Sequence, residues 1–404
     1  MNGVLEKVRA LLGAEAVLDP GAAGVGPRIA PPSIDAAALL LGTATAEGWK
    51  VRVEGAGTWQ TADAPADLAL TTRRLDQVEA VEPQDLVATA QAGVGWDRLR
   101  QQLAERGVWV ALDPPGLAGR TVGSILACAT AGPLRQGFGA VRDHLLGLTA
   151  ITGDGRVISS GGRVVKNVAG YDLTRLQAGA FSAFGLIARV HLRLRALPRA
   201  DLTLVLESAR EELSRAADEL RESGLAPAAL ELLSPALARR AGWVLAVRCA
   251  GSVAQVEAEE ATLRAVAGGR FARLGVEESH AFWQRAAEGL AVRPVTLRLG
   301  GLPDSTDDLL DLLQHQLGDE WISAAPALGA VRWSGEASAD HLRRLRRTLA
   351  ALEVPLTLER APWALRRAVG MFGAYREGIG PLVAGLRRAF DPEGTLVVPV
   401  AADE

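Results

Sequence analysis

Apolar positions along the first half of the chain change period repeatedly, and each change marks an element. Val4 to Leu12 has the spacing of a helix. Pro31-Pro32-Ser33 offers a helix start with Ser33 as N-cap, and the Ala/Leu-rich run that follows predicts a helix to about Ala46, stopped by Gly48. Trp49 to Glu54 alternates as a strand does and runs into Gly55-Ala56-Gly57-Thr58, a strand followed by a glycine loop. A strand at Asp85 to Ala90, a helix at Trp96 to Arg106 and a strand at Val108 to Leu112 come next. Leu145 to Thr152 and Arg156 to Ser160 flank Gly153-Asp154-Gly155, and an Asp-Gly step between alternating runs predicts a hairpin. A short helix over Leu173 to Gln177, capped by Asp172, and a long strand over Leu186 to Leu197 complete this half, which Pro198 ends.

The second half has a different texture. Arg210 to Ser223 and Ala254 to Ala267 read as amphipathic helices, with strands at Trp243 to Val247 and Val295 to Leu299. Arg-rich helices are expected at His341 to Leu352 and Pro381 to Phe390. This alternation predicts a separate α+β unit, with no internal repeat and no low-complexity linker.

Composition narrows the chemistry. The 44 basic and 47 acidic residues are spread along the chain for a net charge of -3, so no single-sign field attracts nucleic acid or an anionic membrane. Cys128 and Cys249 are the only cysteines and form no CxxC pair, which excludes a disulfide framework, a zinc knuckle and an iron–sulfur cluster within this chain. Met1 to Pro20 lacks a basic stretch followed by an apolar core, and no apolar run is long enough to span a bilayer. A cytoplasmic protein is expected, at most peripheral to the inner face of the membrane.

Three segments carry candidate chemistry. In Glu54-Gly55-Ala56-Gly57-Thr58, the glycines permit positive φ and can turn backbone N–H groups toward an anion such as a pyrophosphate. The loop lacks the Lys of a P-loop and the third glycine of the dinucleotide fingerprint, so alone it reads first as an ordinary tight turn. Pro114-Pro115-Gly116 is followed by Thr121-Val122-Gly123-Ser124, which predicts a small-residue helix whose first N–H groups can face phosphate oxygens. The third is Gly161-Gly162-Arg163-Val164-Val165-Lys166-Asn167-Val168-Ala169-Gly170-Tyr171-Asp172-Leu173.

That third segment resembles the flavin-proximal signature of the FAD-linked oxidase family, of the vanillyl-alcohol oxidase (PCMH-type) class. The arrangement around it is similar as well: Val51 to Thr58, Pro114-Pro115-Gly116, Thr121-Val122-Gly123, Ala131-Gly132-Pro133, Gly153-Asp154-Gly155 and Phe184-Gly185-Leu186-Ile187. Within the family, the Arg163 to Leu173 run is most similar to the FAD-binding subunits of bacterial glycolate oxidases. The resemblance covers about residues 30 to 198.

It implies an α+β fold: a PCMH-type FAD-binding domain of two α/β lobes over 1–198, a smaller α+β cap domain over 199–355, and a helical segment over 356–404 packing back on the first domain. It implies noncovalent FAD with its pyrophosphate on Gly55 to Thr58 and on Val122 to Ser124, and Ile187 against the adenine. The site residues carried over are Glu54, Gly55, Ala56, Gly57, Thr58, Pro115, Gly116, Thr121, Val122, Gly123, Ser124, Gly132, Gly185 and Ile187. Arg163, Lys166 and Asn167 are expected on the isoalloxazine side, where a cation stabilises reduced flavin; a solvated loop is the competing reading for Arg163 and Lys166.

Departures from the family pattern shape the functional expectation. Gly-Ala-Gly-Thr replaces a run of glycines, and Phe181 and Phe184 stand in the Gly179 to Gly185 segment where the family has smaller residues. Members that oxidise glycolate or D-lactate carry paired histidines associated with a divalent metal, whereas His280, His315 and His341 each stand alone here, so no metal site is expected. The leading expectation is a flavoprotein subunit of a 2-hydroxyacid (glycolate-type) dehydrogenase, working with a catalytic FAD-linked oxidase subunit and an iron–sulfur subunit. The alternatives are a stand-alone FAD dehydrogenase using a cap-domain residue such as Arg285 or Arg293, and a flavin-fold scaffold without turnover.

Overall fold

The computed structural model describes residues 2–19, 21, 26–60, 63–163, 171–266, 269–318, 320–373 and 377–398. Ser33 caps the helix Ile34–Glu47 by accepting from the Ala36 amide at 3.1 Å, and Gly48 ends it in the left-handed region at φ 70°. Asn2–Leu12 and this helix cover a four-stranded sheet in the order Val17–Asp19, Arg28–Ile29, Leu68–Thr71, Val51–Glu54. The two pairings that involve Leu68–Thr71 are parallel. Parallel pairing buries both faces, and all four residues of Leu68–Thr71 are buried.

A second, antiparallel sheet runs in the order Val78–Glu82, Val87–Gln91, Leu186–Arg193, Leu145–Ile151, Val157–Gly161. The Gly153-Asp154-Gly155 turn joins the last pair, with Ile151 opposite Val157 and Leu148 opposite Ser160. The strand expected over Leu186 to Leu197 is broken after Arg193, because Arg195–Ala196 leaves the sheet to pair with Val108–Trp109. Asp172 caps Leu173–Gln177 by accepting from the Arg175 amide at 3.0 Å.

The second half builds an eight-stranded antiparallel sheet in the order Ala272–Arg273, Ala200–Ser208, Trp243–Gly251, Ala229–Leu233, Trp321–Ala325, Ala330–Gly335, Val295–Gly300, Leu356–Arg360. Helices Arg210–Glu222, Val253–Val266, Thr306–Leu317 and Ala339–Ala351 bury their apolar stripes on one face, against Leu232, Val247, Ile322, Trp333 and Leu358. The opposite face carries Thr203, Glu231, Arg248, Ser323, Arg332 and Arg298, matched across strands by Thr203↔Arg248, Ser323↔Arg332 and Arg298↔Arg332. Helix Val276–Gly289 covers one end of that face through Phe282 and Trp283.

A boundary at 355 falls inside this sheet, since Leu356–Arg360 is its outermost strand and pairs with Val295–Gly300. Leu356 and Leu358 belong to the apolar face that the helices cover, so burial places them with the preceding strands rather than in a terminal helical segment. After helix Ile379–Phe390 the chain returns to the first sheet. Val51 N–H donates to Thr395 O and Val397 N–H donates to Val51 O, both at 2.8 Å. Among the described residues no helix is long and apolar enough to cross a membrane.

Asp391 fixes that return. It is 7% exposed, and its carboxylate accepts from the Thr395 amide at 2.8 Å and the Leu396 amide at 2.9 Å. Asp391→Ala leaves two buried amides without an acceptor, and should lower stability by about 1–3 kcal/mol in chemical denaturation.

Candidate flavin-nucleotide site

Strand Val51–Glu54 delivers the first glycine loop to a cavity. Glu54 anchors the loop's root: its buried carboxylate accepts from Arg52 Nε at 2.7 Å and Arg28 Nε at 3.1 Å. Arg52 Nη1 also donates to Ala64 O at 2.5 Å. Thr71 Oγ1 donates to Gly55 O at 2.6 Å and Arg73 Nη2 to Ala56 O at 3.1 Å, so carbonyls of the loop are turned toward the protein. Gly57 lies at φ +74°, a conformation that glycine adopts without cost. The amides of Gly55, Ala56, Gly57 and Thr58 have no acceptor among the described residues.

The cavity, together with the solvent-open space at its mouth, holds about 940 Å³ not filled by protein atoms. Glu54, Gly55, Gly57, Thr58, Gly123, Ser124 and Ile187 border it, as sequence reasoning expects for cofactor contacts. Sequence reasoning missed Trp59, Cys128, Phe181, Trp363, Arg366 and Val398, which border it as well. Trp59 directly follows the first loop and Cys128 ends the helix of the second, whereas Phe181, Trp363, Arg366 and Val398 come from distant segments with no shared motif. Only the folding of the C-terminal strand and helices beside the loop brings them together.

The second loop departs from expectation. Val122 N–H donates to Val94 O at 2.9 Å, Gly123 N–H to Ala92 O at 2.7 Å, and Ser124 N–H to Thr121 Oγ1 at 3.3 Å. These amides are taken by the neighbouring strand end and by the cap, so they do not cradle a phosphate. Gly123 is small for packing: a Cβ there would lie 2.7 Å from Ala92 Cβ. What the turn presents to the cavity is Gly123 and Ser124 themselves.

Other carried-over residues hold the frame rather than border the cavity. Thr121 is the helix cap, and a Cβ on Gly55 would lie 2.3 Å from its Oγ1, so the two loops touch there. Val122 is packed in the core. Pro115 O accepts from Arg120 Nη1, and Gly116 N–H donates to Ala287 O at 2.9 Å across to helix Val276–Gly289. A Cβ on Gly132 would meet Asp113 O, and one on Gly185 would meet Ile151 O. Arg163 is half-exposed and pairs with Glu82 at 2.9 Å, outside the cavity's border. Lys166 and Asn167 lie outside the described residues.

Phe181 and Phe184, which break the family pattern, find aromatic partners from the end of the chain. Phe181 meets Phe372 edge-on at 5.5 Å between centroids, and Phe184 meets Phe390 at 5.9 Å. Cys128 also borders the cavity, although neither loop contains a cysteine. Burial pushes its thiol up to about 11, which keeps it protonated at neutral pH.

Beside the cavity, the polar face of the eight-stranded sheet forms a seam of buried charge. Glu359 accepts from Arg298 Nε at 2.8 Å and Arg332 Nε at 2.9 Å. Burial alone would raise this carboxyl, but the guanidiniums of Arg332 and Arg298 overcome it and hold the group at about 2. Glu231 accepts from Ser323 Oγ at 2.6 Å, and burial pushes it up to about 7; burial raises Asp113 to about 7 likewise. The three lone histidines, His280, His315 and His341, stand on three different helices and are exposed.

Comparison with known proteins agrees with this geometry. Residues 28–161 match the family model described as an FAD binding domain. Glycolate oxidase subunit GlcE of Escherichia coli is 33% identical over 264 residues, which cover 64% of this chain and 68% of that protein. Glycolate oxidase subunit GlcD of Bacillus subtilis is 26% identical over 51% of this chain and 44% of its own length. The mitochondrial cytochrome D-lactate dehydrogenase of Arabidopsis thaliana is 32% identical over 32% of this chain and 23% of its own length. A solved structure of p-cresol methylhydroxylase with substrate bound superposes with a TM-score of 0.77 at 13% identity, covering 97% of this chain and 95% of that one, which shows the shared fold.

Fold and loop together therefore define an FAD-binding protein of the p-cresol methylhydroxylase architecture. Its open amides suit the pyrophosphate of that cofactor, and the cavity is lined by glycine-permitted main chain and apolar walls such as Ile187. The chain belongs to the FAD-linked oxidase family that includes glycolate oxidase subunit GlcE.

Gly57→Glu adds a backbone strain of about 1–2 kcal/mol and a carboxylate beside the open amides, and the purified variant should lose most of its FAD. Full flavin content by absorbance would remove the loop from the site. Glu231 gives a pH signature. Its native pKa lies above the unfolded value, so the folded state binds the proton more tightly and stability falls as pH rises toward 7. Glu231→Gln should raise the melting temperature at about pH 8 and have little effect near pH 4.5; equal shifts at both would contradict the buried-acid assignment.

Proposed function

We propose that this chain is the FAD-carrying subunit of a 2-hydroxyacid dehydrogenase complex of the glycolate oxidase type. The relationship to subunit GlcE carries the reading, and the relationship to GlcD supports a catalytic FAD-linked oxidase subunit as its partner. An iron–sulfur subunit would take electrons onward, because this chain's two cysteines cannot ligate a cluster. Its place is the cytoplasm, with membrane contact through partners only.

FAD would supply a two-electron acceptor that can hand electrons on singly. The chain's own contribution is binding and insulation. The amides of Gly55 to Thr58 would hold the pyrophosphate and Ile187 would give the adenine an apolar wall, with Phe181 and Val398 bordering the same cavity. Binding is noncovalent, since the protonated Cys128 thiol is a poor nucleophile. His280, His315 and His341 are exposed on three separate helices and do not come together as a ligand set.

A stand-alone dehydrogenase is the second reading, and the buried seam of Arg298, Arg332 and Glu231 favours it, since guanidiniums and a carboxyl titrating near neutrality suit a hydroxyacid. Arg293 does not serve this purpose: it lies over the Trp321 ring and pairs with Glu320 at 3.8 Å.

The anaerobic visible spectrum of the purified chain separates these readings. A flavin spectrum that glycolate and D-lactate leave oxidised is the expected result. Bleaching by either acid would overturn the partner-subunit reading in favour of the second, and a colourless chain that FAD does not stabilise would leave a scaffold.

A further inference from the structure

Arg120 is a buried cation with no counter-ion among the described residues. It is 3% exposed and forms no ion pair among the described residues. Its guanidinium is held by neutral acceptors: Nη1 donates to Pro115 O, and Nη2 lies 3.5 Å from Ser124 O and 3.4 Å from Ser124 Oγ. The remaining donor, Nε, is buried without a partner.

The charged groups around it do not supply the missing anion. Glu359 is within electrostatic reach but is already shared by Arg298 and Arg332, and Arg332 adds like charge. Asp113, on the same loop, has its carboxylate turned to the Leu134 amide at 3.0 and 3.1 Å. Cys128 faces it as a neutral thiol.

Arg120 borders a second cavity, with Trp96, Asp113 and Arg248, and reaches the flavin cavity only through Trp59, whose ring it overlies at 4.6 Å from the centroid. Trp59 is 1% exposed, borders the cavity, and its Nε1 is a second buried donor without an acceptor. Ser124, which the guanidinium approaches, borders the same cavity and packs beside Gly55 at the root of the open amides. An orphaned donor on Trp59, and behind it the orphaned Nε and the charge of Arg120, therefore stand beside a site that already offers main-chain donors. Leaving a buried charge unpaired is costly, and an arginine does not relieve that cost by losing its proton.

We infer that Arg120 is the buried counter-cation for an oxyanion of FAD, acting with Trp59 as the side-chain complement to the Gly55–Thr58 amides. The inference rests on the FAD reading above, and FAD retention by the wild-type chain tests that reading separately. Two oxyanions share this chemistry, the pyrophosphate and the reduced isoalloxazine.

Arg120→Met and Arg120→Lys in the full chain, stripped of flavin and reloaded, provide the test. The methionine removes the uncompensated charge while retaining a similar packing volume, so the apo variant should melt at or above the wild-type apo temperature, and its FAD should bind at least about tenfold more weakly or have a lowered midpoint potential. Arg120→Lys should recover part of the loss. ADP-ribose, which has the pyrophosphate but no isoalloxazine, separates the sources. Weakened ADP-ribose binding assigns Arg120 to the pyrophosphate, whereas unchanged ADP-ribose and FAD affinity with a lowered potential assigns it to the reduced ring. Unchanged FAD affinity together with unchanged potential overturns the inference, whatever the melting temperature does, and leaves Arg120 as a strut for the Pro115 and Ser124 carbonyls. If Arg120→Met does not fold, the same readings on Arg120→Gln decide.

Discussion

Four consecutive main-chain amides, from Gly55 to Thr58, stand at the end of a buried strand without acceptors among the described residues. A folded chain leaves such donors open only where solvent or a ligand accepts from them. The surroundings are built to keep this loop open rather than let it collapse onto its neighbours. Glu54 is clamped by Arg28 and Arg52, and the Gly55 and Ala56 carbonyls are drawn toward Thr71 and Arg73. The C-terminal segment comes back to bond Val51 on the same strand.

The second loop has a different role from the first, though both are rich in small residues. Its amides are spent on the ends of neighbouring strands, and its glycine allows close approach to Ala92. One loop keeps its amides open and the other braces it, touching where Gly55 meets Thr121. Anion-competent composition is therefore insufficient to identify an anion site. What matters is whether the N–H groups remain unclaimed once the chain has folded.

Legibility in the sequence followed the range of the interactions. The helix capped by Ser33, the hairpin over Gly153 to Gly155 and the short helix after Asp172 are decided within a few residues, and they lie where periodicity and capping rules put them. The strands Ala229–Leu233 and Trp321–Ala325 gave no comparable signal. The first is buried on both faces and so does not alternate, and the second is short and rich in alanine. Leu356–Arg360 looked like part of a terminal segment because its partner strand lies some sixty residues earlier in the chain.

The sequence by itself determined the flavin family, the glycine loop and the local elements that carry it, because each depends on backbone preferences that a short motif encodes. Tertiary structure decided which amides stay open, which small residues serve only packing, and which side chains from the last fifty residues complete the cavity. It also decided that Arg163 pairs with Glu82 on the surface while Arg120 is buried with no counter-ion among the described residues. Burial and charge compensation depend on every segment that comes to surround a residue: Glu82 is distant from Arg163 in the chain, and Trp59 and Glu359 are distant from Arg120.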